Sequence, residues 1–199
     1  KSKFKHKPKD IWFELTWNAL TLNLYNKKLK LFYPLKIEFE KEILLGNFSS
    51  ALKILDEIEV IFGKSLWLIK NRLNLKQEIE GLEFQKEYAK ELKEKDIEIN
   101  AKILIYLFSV SSEKHISYTY FNRLIDNFFE GFSDTEMLEY IKFKLQKDLP
   151  LNIEFLDHIL MQESSSSLID LYETLIELLQ NILLIMIKDN DQNEHKKIL

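Results

Sequence analysis

From residue 35 onward the apolar positions recur at steps of three and four, the spacing of one face of an α-helix. The clearest case is 48–62, where Phe48, Ala51, Leu52, Leu55, Ile58 and Phe62 fall on one stripe. Before it, residues 35–45 read as a short helix that follows Pro34 and is closed by Gly46. After it, Gly63 offers the permissive backbone of a helix C-terminus, and Ser65 stands as the N-cap of a third helix over about 66–80. That helix carries two stripes: Leu66, Ile69 and Leu73 beside Leu68, Leu75, Ile79 and Leu82. Gly81 interrupts it. A more polar helix follows, with Phe84, Tyr88 and Leu92 facing inward. Asp96 is expected to cap a fifth helix that buries Ile97, Ala101, Leu104, Ile105 and Phe108.

The second half continues the pattern. "SVSSEKHIS" (109–117) reads as a loop, and 118–130 as a helix rich in aromatics: Tyr118, Tyr120, Phe121, Phe128 and Phe129. Ser133 with Glu136 forms a capping box that opens a helix carrying Met137, Ile141 and Leu145. Pro150 suits the first turn of the next helix. Ser167 with Asp170 is a further capping box. It opens a long last helix with Leu168, Leu171, Leu175, Leu178, Ile182 and Ile185 on one stripe. This makes about eight or nine helices, with connections short enough to lay neighbours antiparallel.

Residues 11–33 allow two readings. "TLNLY" and "LKLFY" alternate with period two, and "NKK" between them could turn a β-hairpin. The same residues also suit a helix, because Trp12, Leu15, Leu20 and Tyr25 do not settle the period.

Composition supports helices over strands. Glycine (4) and proline (3) are too scarce to turn many strands, and a 46% hydrophobic fraction supplies a sizeable core. The most apolar window, 168–187, is interrupted by Asp170, Glu173 and Glu177, so it reads as an amphipathic helix rather than a membrane span. The absence of cysteine excludes disulfides, thiolate metal sites and a cysteine nucleophile. With no secretory leader visible, the expected location is the cytoplasm. The first residue is not methionine, so a fragment or a processed form is expected. The net charge of −4 is unevenly placed, since residues 1–9 hold five lysines and no acid.

The stretch "LLGNFSSALKIL" (44–55) adds an architectural hint. A glycine turns the chain, an aromatic follows two residues later, a small residue three beyond, and a large apolar residue four further. Gly46, Phe48, Ala51 and Leu55 in this order resemble the second half of a tetratricopeptide repeat, the resemblance covering residues 35–62. Ile58, Gly63 and Phe39 depart from that pattern, standing where a second alanine, a proline and a small residue are usual. Gly81, in "IEGLEFQKEY" (79–88), echoes Gly46 at close to the repeat length of about 34 residues, although Lys86 aligns with Ala51. "EGFSDTEM" (130–137) is a weaker, out-of-phase echo. The resemblance implies an all-α chain of antiparallel hairpins stacked as a short solenoid; an irregular helical bundle is the alternative, with or without an N-terminal β-hairpin. The implied organisation is a basic, disordered tail (1–9), a hairpin or helix (10–33), a repeat region (34–110) and a C-terminal helical region (111–199) with a capping helix.

Candidate chemistry is sparse. There is no glycine-rich phosphate loop, and neither HExxH nor GxSxG occurs. The four histidines, His6, His115, His158 and His195, are scattered. Glu154 and His158 share a helix face beside Asp157, too few ligands for a metal site. Asp56, Glu57 and Glu59 read as a solvated outer face, and Arg72 and Arg123 are the only arginines. No catalytic, cofactor or metal residue is assigned. The expected function is protein or peptide binding through a helical groove. Trp12, Trp17 and Trp67 all suit a core, and Trp67, flanking the main stripe of its helix, is also a candidate anchor for a partner. Lys3, Lys5 and Lys7 are candidate contacts to phosphates or to an anionic membrane, the former for a nucleic-acid-associated or toxin-neutralising regulator. A fragment of a larger enzyme is the remaining alternative. The last helix is expected to cap the solenoid or to pair with a second copy.

Overall fold

The computed structural model describes residues 10–95, 97–131, 133–145, 155–181 and 183. The described residues form ten helices and no strand: α1 (Ile11–Leu24), α2 (Asn26–Leu44), α3 (Phe48–Phe62), α4 (Leu66–Ile79), α5 (Leu82–Glu94), α6 (Ile99–Ser111), α7 (Tyr118–Phe128), α8 (Thr135–Leu145), α9 (Leu156–Glu163) and α10 (168–181). Consecutive helices α2 to α6 pack pairwise, in a repeat-like manner, and α4 also touches α6. The chain then returns through α8 and α9 to rest on α1.

Of the two readings open for residues 11–33, the helical one holds and the β-hairpin does not: the segment is two helices, and "NKK" lies in the first turn of α2. Asp10 caps α1, its Oδ1 accepting from the Phe13 amide at 2.8 Å. A single residue, Tyr25, separates α1 from α2. The short period-two runs were overridden because both helices find surfaces to pack on, α1 against α9 and α2 against α3. Pro34 does not precede a helix but lies inside α2, where its missing N–H leaves one helical bond unmade. Both Pro34 and Lys30, whose carbonyl loses that bond, are exposed, so water can replace it.

Gly46 ends α2 with φ +74°. Its amide donates to the Ile43 carbonyl at 3.0 Å, and the Asn47 amide to Glu42 at 2.9 Å. This paired closure needs a left-handed residue, which is why glycine stands there. A Cβ at Gly46 would meet nothing within 4 Å, so the requirement is one of backbone conformation, not space. Ala51 and Leu55 of α3 are wholly buried, with Phe48 partly buried beside them.

The two stripes predicted for α4 explain its position. Ile69 and Leu73 join a large core built from α4 to α10, while Leu68 and Leu75 join a second core with Phe32, Phe39, Ala51, Ile54, Leu55 and Ile58. Helix α4 is therefore the partition between two cores. Three further expectations are corrected. Phe84 of α5 faces solvent, Leu92 is buried as expected, and Gln85 and Ala89 are buried beside it. The cap of α8 is Asp134 rather than Ser133, its Oδ1 accepting from the Met137 amide at 3.0 Å. Trp12 and Trp17 are exposed, at 76% and 55%, rather than part of a core. The expected caps and turns at Asp96 and Pro150 lie outside the described residues.

Candidate functional groove

Between α2, α4 and α10 runs a groove of about 570 Å³. Phe39 and Ile43 of α2, Trp67 and Asn71 of α4, and Glu173 and Glu177 of α10 line it. Trp67 is half-buried. Its ring stands edge-on to Phe32 at 5.3 Å and to Phe39 at 5.6 Å, and Phe32 in turn meets Phe62 and Tyr172 edge-on. This aromatic cluster fixes one side of the indole and leaves the other toward the groove. The Asn71 amide donates to the Trp67 carbonyl at 2.8 Å. Lys36 of α2 reaches both carboxylate oxygens of Glu173 at 2.7 Å, tying α10 to α2 at the groove's edge.

The wall that α4 supplies is held by its N-terminus. A helix start leaves its first amides without internal partners. Ser65 Oγ accepts from the Leu68 amide at 3.0 Å. The Leu66 and Trp67 amides donate, each at 2.8 Å, to the two carboxylate oxygens of Asp170 on α10, more than 100 residues away. Asp170 belongs to the capping box read from the sequence: its own amide donates to Ser167 Oγ at 3.0 Å, and the Ser167 hydroxyl donates back at 2.8 Å. One carboxylate thus joins the start of α10 to the start of α4. Asp170 is 4% exposed, and burial pushes its carboxyl above the ordinary range, although Lys144 and the two amides pull it down.

On the other side of α4 lies a cavity of about 440 Å³, bounded by Lys64, Lys95, Tyr140 and Ser165 to Ser167. The hydrogen bond and charge of Lys95, together with some burial, hold Lys64 below the usual lysine value. Behind Tyr140 is a buried polar network. The Tyr140 hydroxyl donates to Glu163 Oε1 at 2.7 Å, Ser166 to Glu163 Oε2 at 2.6 Å, and Lys144 pairs with Glu163 while donating to Thr174 Oγ1 at 2.7 Å. Burial, then the Glu163 carboxylate, pushes the Tyr140 phenol up. Both Glu163 oxygens are engaged, so the network is arranged to link α8, α9 and α10.

Of the residues singled out from the sequence, Ala51, Leu55, Phe48 and Trp67 meet in one core, and Gly46 stands at the turn that brings α2 onto α3. Lys3, Lys5 and Lys7 lie outside the described residues. So does Glu154. His158 Nδ1 instead lies 3.2 Å from Glu136 Oε2, with no hydrogen bond between them. Among the described residues no three His, Asp or Glu side chains gather as a metal site, and no helix is long and apolar enough to cross a membrane. Asp56 and Glu59 do more than solvate α3: each lies 2.8 Å from Arg72, clamping α3 to α4. The Asp170 bridge was half legible, as a local cap. Its reach to α4 leaves no trace in residue spacing, and neither does the Tyr140–Glu163–Lys144 network.

The geometry defines an all-α protein with repeat-like helix packing and an aromatic-floored groove. No protein-family model, curated protein or solved structure matches the chain.

Proposed function

We propose that the chain is a non-catalytic interaction module, related in design to tetratricopeptide repeats, that binds a segment of a partner protein in the α2–α4–α10 groove. The observation that carries this reading is Trp67, half-buried at the groove with one side held by Phe32 and Phe39. A pre-positioned indole beside a groove is what a binding hot spot needs, because little side-chain entropy is lost on contact. An amphipathic helix or extended segment would set an apolar side chain on Trp67 and Ile43, with a basic residue toward Glu40. The module is read as working in the cytoplasm.

The test is affinity capture of partners with the full chain and with Leu44→Arg. Leu44 is 87% exposed and lines the groove, so the variant should keep its fold while crowding the site. A partner retained by the parent and lost by Leu44→Arg supports the reading. Trp67→Ala should weaken the same partner by about 2 kcal/mol, roughly thirtyfold in Kd. Partners held equally by parent and variants would place binding elsewhere.

A further inference from the structure

Helix α1 is turned the opposite way from an ordinary surface helix. Its inner side carries polar groups: Glu14 is 4% exposed, Asn18 is fully buried, and Thr21 is partly buried. The Asn18 amide donates to the Glu14 carbonyl at 2.9 Å and to the Leu160 carbonyl of α9 at 3.4 Å, which fixes the helix's rotation. Ile11, Leu15 and Leu22 complete that side against the large core. The outer side carries Phe13, Trp17, Leu20 and Leu24, spaced four, three and four apart, with exposures of 40, 55, 55 and 82%. Trp12, at 76%, lies beside them. Glu14 is the sole charge in α1 and it points inward, so the outer side is uncharged along its whole length.

Charge is concentrated just beyond the helix. Lys27, Lys28 and Lys30, in the first turns of α2, are all exposed. Residues 1–30 hold eight lysines against two acids, in a chain whose net charge is −4. In sequence the basic excess therefore flanks the exposed aromatics, and among the described residues Lys27, Lys28 and Lys30 carry it.

We infer that the outer side of α1 docks onto an anionic lipid bilayer surface, with Trp12, Phe13, Trp17, Leu20 and Leu24 entering the headgroup–acyl boundary and Lys27, Lys28 and Lys30 meeting lipid phosphates. Tryptophan suits that boundary because its ring is apolar while its N–H can still find a partner. An uncharged, aromatic helix lying in the interface plane with lysines beside it combines apolar burial with electrostatic attraction. Charge argues against a second copy as the occupant. Both flanks of α1 are lysine-rich in sequence, so parallel and antiparallel pairing of two α1 helices would each set lysine against lysine. The surface shares no residue with the α2–α4–α10 groove, so membrane docking and partner binding can coexist.

The experiment is sedimentation of the full chain with vesicles of phosphatidylcholine alone and with vesicles that also contain phosphatidylglycerol. Tryptophan emission is followed in parallel. The expected result is binding to the anionic vesicles, a blue shift of emission, and release as salt rises. Trp17→Ser and Leu20→Ser should each weaken binding about tenfold or more, given what burying one large apolar side chain contributes. Both residues are exposed, so their melting curves should match the parent's, separating lost docking from lost fold. Replacing Lys27, Lys28 and Lys30 together by Gln should cost about a hundredfold, at roughly fivefold per lysine. Three outcomes would overturn the inference: no binding to either vesicle, binding indifferent to Trp17→Ser, or a dimer in sedimentation equilibrium that Trp17→Ser dissolves. The last would assign the face to a second copy, and tight binding of an acidic peptide without vesicle binding would assign it to a protein.

Discussion

Asp170→Asn tests whether one buried carboxylate holds α10 against α4. The substitution keeps the shape of the side chain but leaves one oxygen where there were two. In the parent each oxygen accepts a backbone amide at 2.8 Å, from Leu66 and from Trp67. In the variant one of these amides faces an NH₂ group. A hydrogen bond to a charged acceptor contributes about 1.5–3 kcal/mol, and an unpaired, partly buried donor costs about 1–3 kcal/mol. These two figures overlap in what they count, so the expected loss is about 2–4 kcal/mol. Ser65→Ala provides the scale: it removes only a local cap and should cost about 1 kcal/mol. The assay is urea denaturation followed by circular dichroism on both variants and on the double variant. The two substitutions act on the same turn, so their effects should not add. Hydrogen exchange gives a local reading, since the Leu66 and Trp67 amides should lose protection in Asp170→Asn. If Asp170→Asn costs no more than Ser65→Ala, and both amides stay protected, the carboxylate is not the link between the two helices.

Other positions give further expectations. Gly46→Ala should destabilise by about 1–2 kcal/mol from left-handed strain alone, without a clash, and a D-alanine introduced by chemical ligation should restore the parent's stability. Ala51→Trp should cost 3 kcal/mol or more, on the order of severe overpacking, because Ala51 is wholly enclosed; a parent-like melting curve would show that α3 does not cross its neighbours there. Tyr140→Phe removes one of the donors to Glu163 and should cost about 1–2 kcal/mol in thermal unfolding, less than Glu163→Ala, which strands the Lys144 charge. The raised Asp170 carboxyl also sets a pH dependence. A carboxyl raised in the folded state contributes stability that is complete below the unfolded value of about 3.8 and is lost as pH rises through the folded value. The stability of the parent relative to Asp170→Asn should therefore fall as pH rises through that window, and a rise would mean that the two amides outweigh burial.

Most helices from α3 onward were legible because they carry an apolar face at helical spacing, and Gly63, Ser65 and the Ser167–Asp170 box marked ends; the loop expected over 109–117 starts later, because α6 runs to Ser111 and buries Ser109 and Val110. The double stripe of α4 fits its place between two cores, although Ile79 and Leu82 of the second stripe are exposed. Spacing left α1 open. Its 3.6-residue stripe, Phe13, Trp17, Leu20 and Leu24, faces solvent rather than a core. The inward side mixes Ile11, Leu15 and Leu22 with Glu14, Asn18 and Thr21, and neither set alone gave a clean period. Phe84 shares helical spacing with Tyr88 and Leu92, but it stands in the first turn of α5 and is 54% exposed. Trp67 was legible as an anchor because it flanks its stripe. The groove around it was not, because its walls come from helices more than 100 residues apart, and spacing records only neighbours on one helix.

That separation has a consequence for binding. The groove exists only while α10 is docked, and α10 is docked by Asp170 on α4 and by Glu173 on Lys36. A segment that touches both Trp67 and Glu177 bridges α4 and α10, so it binds the docked form and should stabilise it in proportion to its affinity. The relation is reciprocal: loosening α10 must weaken any ligand that uses both walls. Asp170 borders the groove but is 4% exposed, with both oxygens taken by α4 amides, so Asp170→Asn should act through α10 and raise the Kd of a bridging partner without altering one that rests on α2 alone. An equal Kd for parent and variant would mean that α10 is not a wall of the working site.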